Sequence, residues 1–222
     1  MPYYRDLSKR RRQRKHFSIG WLDWRHPFDT GRPPKWLIRK LWVYCKYVFN
    51  PSRGYHYCDL AHCSGPGTKL HIHNKAAQLL RLKQEMARIK IDVRFPPNSR
   101  RFLLARLEDQ LRVVERGYSV ISHGIHPDTG ERIRLGHAEI YVFGEDGKIY
   151  VAPNLIYHYV TVHHYKPPAE FLRALKRSPS PPGPEYLACL EAIGFPRPYV
   201  LAYEPWGQEM KRRKDAVKTK SR

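Results

Sequence analysis

The stretch from Arg134 to Lys176 constrains the fold of this chain more tightly than any other. His137 to Val142 alternates in hydrophobicity, Gly144–Gly147 supplies a turn, and Lys148 to Val151 alternates again, which predicts a β-hairpin. Pro153 is placed to open a helix, Pro167 and Pro168 to stop it, and Ala169–Leu175 to form a second short helix. The first of these helices carries His158, His163 and His164, and far upstream lie Cys58 and Cys63.

Those histidines and cysteines form the one constellation suited to metal chemistry. A structural zinc site needs four thiolate or imidazole ligands in a tetrahedron. The Gly-rich loop around Cys58 and Cys63 can turn both sulfurs toward one point, with His56 and His62 as local alternatives. His158 and His163, or His164, would complete a Cys2His2 set. On a continuous helix the i, i+5 pair stands about 140° apart, so both imidazoles reach one ion only if the helix ends between them.

The same stretch carries a resemblance. LGHAEIYVFGEDGKIYVA and APNLIYHYVTVHHYKPPAEFLRAL, with YYRDLS, FSIGWLDWRHPFDTG and NPSRGYHYC near the N-terminus, resemble a family of small bacterial proteins of unknown function. It covers roughly 1–63 and 134–176 and implies little about activity. Where that family has Cys-x-x-Cys after its His-x-Cys, four residues, Asp59–His62, separate Cys58 from Cys63 here. Against that pattern about 64–133 reads as an insertion, and the C-terminal part as an addition.

Charge is the second strong constraint, a formal net of +21 over 222 residues. Residues 1–16 hold seven Lys/Arg against Asp6, and residues 209–222 hold seven against Glu209 and Asp215. About half the excess therefore sits in two short ends, the pattern of interaction tails. Such a balance favours a polyanionic partner, nucleic acid or an acidic protein surface. No apolar run approaches the roughly 20 residues that span a bilayer, and HFSIGWLDWRHPF is no signal-peptide core. The expectation is a cytoplasmic chain without a membrane partner. Its four cysteines, unevenly spaced, favour thiols or a metal over disulfides.

Along the chain, residues 1–16 read as a basic disordered arm and 17–177 as the main domain. Pro33–Pro34 starts a helix with Leu37, Leu41, Tyr44, Cys45 and Val48 on one face, Trp36 and Trp42 packing in or near the core, and Cys45 a buried thiol. Within about 64–133, Lys75–Ile91 predicts a helix with an apolar stripe of Leu79, Leu80, Leu82, Met86 and Ile89. Ser99 is a good N-cap for a second helix, Arg100–Arg116, ended by Gly117, giving a basic helical hairpin. Residues 178–206 read as a Pro-rich linker, a short helix over Glu185–Ile193 and an aromatic strap, and 207–222 as a basic tail.

Enzymatic motifs are sparse. His137-Ala138-Glu139 lacks the later Pro-Cys-x-x-Cys of a deaminase and lies in a strand. No Gly-x-Ser-x-Gly elbow or phosphate loop is present. Asp23, Glu139 and Asp146 are unpaired in sequence, and His71 and His73 read as exposed strand residues. The expected fold is α+β, a small antiparallel hairpin or sheet packed by helices, with the helical hairpin inserted. The expected function is a non-enzymatic, zinc-stabilised binding module for RNA or DNA. Arg10, Arg11, Arg12, Lys83, Arg100, Arg101, Arg212 and Arg213 would neutralise phosphates, and Trp21, Tyr55 or Tyr57 would stack on bases. Two alternatives stand beside it: a protein-interaction module for an acidic partner docked through 195–206, and a metal-dependent nuclease built on His56, Asp59 and His62.

Overall fold

The computed structural model describes residues 3–10, 13–48, 50–51, 56–58, 60, 63, 65–195 and 201–202. In chain order the elements are β1 (Lys9–Arg10), β2 (Gln13–Ser18), α1 (Lys35–Lys46), β3 (Tyr47–Val48), β4 (Asn50–Pro51), β5 (Gly67–His71), α2 (Lys75–Ile91) and α3 (Pro97–Arg116). There follow β6 (Tyr118–Ile125), β7 (Arg132–Arg134), β8 (Ala138–Phe143), β9 (Ile149–Pro153), α4 (Ile156–Val162), α5 (Ala169–Arg177), α6 (Pro184–Ala192) and β10 (Leu201–Ala202). The fold is α+β. No helix among the described residues is long and apolar enough to cross a membrane.

The predicted hairpin is the centre of the molecule. β8 and β9 pair antiparallel from Glu139–Pro153 to Phe143–Ile149, and the tight turn closes through Gly144 N to Lys148 O at 2.8 Å. β9 is buried along its whole length, because its other edge pairs parallel with β2, His16 to Ser18 lying beside Ile149 to Val151. The sheet order is β1-β2-β9-β8-β4. The charge run near the N-terminus therefore does not simply form an arm: Lys9–Arg10 and Gln13–Ser18 complete a sheet, with Phe17 and Ser18 supplying the pairing positions. Pro153 ends β9 instead of opening a helix, and α4 starts three residues later.

α1 packs its Leu37, Leu41, Trp42, Tyr44 and Cys45 face into this core, each large apolar side chain contributing about 1.5–3 kcal/mol. Cys45 is buried, its Sγ 3.3 Å from the Asn154 carbonyl. Trp36 does not join it and stays 36% exposed on the solvent side of the same helix. α6 buries Tyr186 and Leu190, with Leu187 and Ile193 partly covered. The Pro-rich segment before it is packed on α1, where Tyr44 donates to the Pro179 carbonyl at 2.5 Å and Lys40 to that of Ser178 at 3.0 Å.

α2 and α3 form the expected helical hairpin with a small core of their own, Leu82, Ile89, Leu107 and Val114. Leu80 belongs to the opposite side and is 59% exposed. α3 begins at Pro97, not after Ser99, since a proline at the first helical position costs no hydrogen bond. The hairpin stands on a three-stranded antiparallel sheet, β5-β6-β7, that lacks a clear signal in the sequence. β6 hides small residues, Ser119, Ser122 and Gly124, on buried positions, so its hydrophobic alternation is weak. Arg25 locks α3 to the main body: it pairs with Asp23 at 2.7 Å and Asp109 at 2.8 Å and donates to the Ala105 carbonyl at 3.1 Å.

Candidate metal centre

Cys58, Cys63, His158 and His163 converge, and their ligand atoms all lie within 4.8 Å of one another. The two cysteines come from the segment between β4 and β5, the two histidines from α4 and its C-cap. Each arrives for a local reason. Cys58 is fixed because the backbone N–H of His56 donates to the Gly136 carbonyl at 2.5 Å, stitching this segment to the β7–β8 turn. A Cβ at Gly136, whose φ is +87°, would sit 2.1 Å from the His56 carbonyl oxygen, so only glycine permits that approach. Cys63 is held just ahead of β5, where His123 N donates to the Pro66 carbonyl at 2.8 Å. Gly65 lies against the imidazole of His158 and leaves no room for a side chain.

α4 is short, and its end solves the spacing problem of its histidines. The helix stops at Val162, so His163 is its C-cap, and His164 turns into the left-handed region at φ +54°. Tyr159 O accepts from both His163 N at 3.1 Å and Tyr165 N at 3.0 Å, closing the end. The break carries the His163 ring back toward His158, their centroids 5.1 Å apart. His164 is exposed and outside the cluster. Tyr157 anchors the helix from behind, donating to the Ile125 carbonyl at 2.5 Å.

The distances suit a tetrahedral ion. Cys58 Sγ lies 3.2 Å from His163 Nε2, and Cys63 Sγ lies 3.3 Å from His158 Nε2. Bonds of about 2.3 Å to sulfur and 2.0 Å to nitrogen give tetrahedral S···N edges of about 3.5 Å and S···S edges of about 3.8 Å. The four side chains could therefore hold a metal with only small adjustment. The Cys58 thiol, and after it the two imidazoles, hold the Cys63 thiol well below its ordinary range, against the burial that raises it. That direction favours the thiolate, the form that ligates. None of the four cysteines is in a disulfide. In contrast, burial pushes the Cys45 thiol far above its ordinary range.

The other candidates fall elsewhere. His56 supplies backbone structure and stands outside the four-ligand group, while Asp59 and His62 lie outside the described residues. Asp23 and Asp146 are salt-bridged to Arg25 and Lys148, and Glu139 to Arg10 at 2.8 Å. Arg10 also packs over Trp21, so it is tied into the structure. Trp21 is buried at 6% exposure and offers no face for a base; Tyr57 is half-buried, and Tyr55 is outside the described residues. Arg100 is half-buried and closes the turn between α2 and α3 through the carbonyls of Asp92 at 2.9 Å and Phe95 at 3.2 Å. Lys83 and Arg101 are exposed, whereas Arg11, Arg12, Arg212 and Arg213 lie outside the described residues.

Residues 2–105 and 110–176 match the sequence profile of a domain of unknown function, DUF7919. The chain belongs to this family. The DUF7919 match contains all four converging residues, α2 and most of α3, and ends within α5. Neither a curated protein nor a solved structure matches the chain.

Proposed function

We propose that the chain is a non-enzymatic, zinc-stabilised binding module that contacts nucleic acid. The observation that carries the zinc reading is a complete set of four protein ligands, two cysteines and two histidines, at separations near those of a tetrahedron. Zinc favours this mixed set, and a site with four protein ligands serves structure, because a catalytic one keeps a position for water or substrate. The ion would clip the 58–63 segment to the end of α4, parts of the chain that are far apart in sequence, with 95 residues between Cys63 and His158. Nucleic acid is supported by the net charge of +21 and by the exposed cations of the helical hairpin, Lys83 and Arg101 among them. The basic ends, with Arg11, Arg12, Arg212 and Arg213, would add phosphate contacts.

Elemental analysis of untagged protein, with Cys58→Ser alongside, tests the metal. One zinc per chain, lost in the variant together with thermal stability, supports the clip; a metal-free wild type that folds normally overturns it. A salt titration of binding to mixed-sequence duplexes tests the second half. Affinity that falls steeply with salt supports it, and no binding at 50 mM salt removes it.

A further inference from the structure

α2 has two faces of opposite character. Leu82 and Ile89 point into the hairpin core and are 5% and 7% exposed. On the opposite side, about 130–170° round from their mean direction, lie Ala77, Leu80, Gln84, Ala87 and Ile91, all exposed, within a sector of about 80°. Leu80 and Ile91 are 59% and 80% exposed, so this face keeps aliphatic side chains in solvent while the helix buries another. Two cationic rails flank this ridge. Lys83 and Lys90 run along one side and Arg81 and Arg88 along the other, about 60–100° from the midline. All four are exposed, and none is in a salt bridge among the described residues. The one acid of α2, Glu85, stands off the ridge.

Resting on the nucleic-acid reading above, we propose that the outer face of α2 lies in the major groove of B-form duplex DNA, its rails on the phosphates of the two groove walls and its ridge on the base edges. Charge complementarity selects the partner. Two copies of this face would oppose cation to cation, so it does not pair with itself. A polyanion also answers to the whole charge of the chain, which four complementary acids on a partner helix would not. Groove shape selects the duplex form. The B-form major groove is about 12 Å wide and admits an α-helix, while the A-form groove of duplex RNA is too deep and narrow. On the ridge, Gln84 has the bidentate amide that suits adenine, and Leu80 and Ala87 the methyl groups that suit thymine. α3 lies behind α2 and leaves the groove-facing side clear.

The test is a salt titration of the full chain on a 20-base-pair DNA duplex and on an RNA duplex of the same sequence. A rail variant carries Arg81→Gln, Lys83→Gln, Arg88→Gln and Lys90→Gln, and a tail variant carries Lys211→Gln, Arg212→Gln, Arg213→Gln and Lys214→Gln. Because the rails are exposed, the rail variant should keep the wild-type melting temperature. Wild type should bind DNA more tightly than RNA, with a log–log salt slope steeper than that of the rail variant by about 3–4. Between 50 and 200 mM salt this amounts to about 100-fold more loss of affinity in wild type than in the rail variant. The tail variant should keep the DNA preference and the rail variant lose it. No binding of wild type to either duplex would sink the nucleic-acid reading itself. Equal binding to both, or a rail variant that keeps the DNA preference, would overturn only the groove placement. So would a rail variant with unaltered DNA binding that no longer captures a helical peptide with an apolar seam flanked by glutamates, which would assign this face to an acidic protein partner.

Discussion

Gly65→Ala reports directly on the geometry around His158. The new Cβ would lie 2.7 Å from His158 Cε1, 2.7 Å from Val162 Cγ2 and 3.1 Å from His158 Nδ1. No carbon tolerates the first two contacts, so the imidazole or the end of α4 must move. Gly65 does not have a left-handed φ, and the whole effect is therefore steric. His158 is buried and its Nε2 already lies 3.3 Å from Cys63 Sγ, so displacing the ring opens one edge of the tetrahedron. Overpacking of this kind costs about 1–3 kcal/mol. If it falls on the metal-bound state, zinc affinity drops about 5- to 150-fold, at 1.36 kcal/mol per tenfold change. The melting temperature falls by about 2–12 °C for a chain of this size. Competition with a chromophoric chelator measures the first and calorimetry the second. Gly67→Ala is the control. Its Cβ would strike Val120 Cγ1 at 2.4 Å and the Ile121 carbonyl at 2.7 Å, loosening β5 from β6 without touching a ligand. Zinc binding by Gly65→Ala within twofold of wild type, or an equal loss in Gly67→Ala, would exclude a steric effect through His158.

Other consequences follow from the same structure. His163→Ala should abolish stoichiometric zinc, whereas His164→Ala should leave it intact, read by elemental analysis; equal loss would place the ligand wrongly. Removal of Arg25 should cost about 1–3 kcal/mol, because Asp23 and Asp109 lose a charged partner, and hydrogen exchange in α3 should rise ahead of that in β8 and β9. Burial holds His16, His123 and His137 below the usual imidazole range, with nearby arginine charge adding to it. The unfolded chain thus binds protons first as the pH falls. Stability contributed by these neutral imidazoles is complete above about pH 6.5 and is lost as the pH drops through their lower folded values. Denaturant midpoints at pH 7.5 and 5.5 check this, and a smaller drop between the two pH values in the His16→Gln, His123→Gln, His137→Gln background than in wild type is the expected signature.

Much of the candidate site is legible in the chain itself. Short-range rules place the β8–β9 hairpin, the α4 and α5 helices after it, and the Lys75–Ile91 helix, because alternation, helical period and proline act over a few residues. The soft ligands are equally visible, as the cysteines Cys58 and Cys63 near glycines and the histidines His158, His163 and His164 in the stretch after Pro153. Residue types alone thus determined which metal chemistry is available and how much positive charge must find a partner. Convergence, by contrast, comes from long-range packing. Cys63 and His158 are 95 residues apart, and nothing local says that His163 rather than His164 completes the set. That choice is made by the left-handed turn at His164, which ends α4 and swings one imidazole back. Likewise the parallel pairing of β2 with β9, the burial of Trp21 and the exposure of Leu80 depend on which surfaces meet at long range. Periodicity defines the faces of an element, but only packing against the rest of the chain selects the one that is buried.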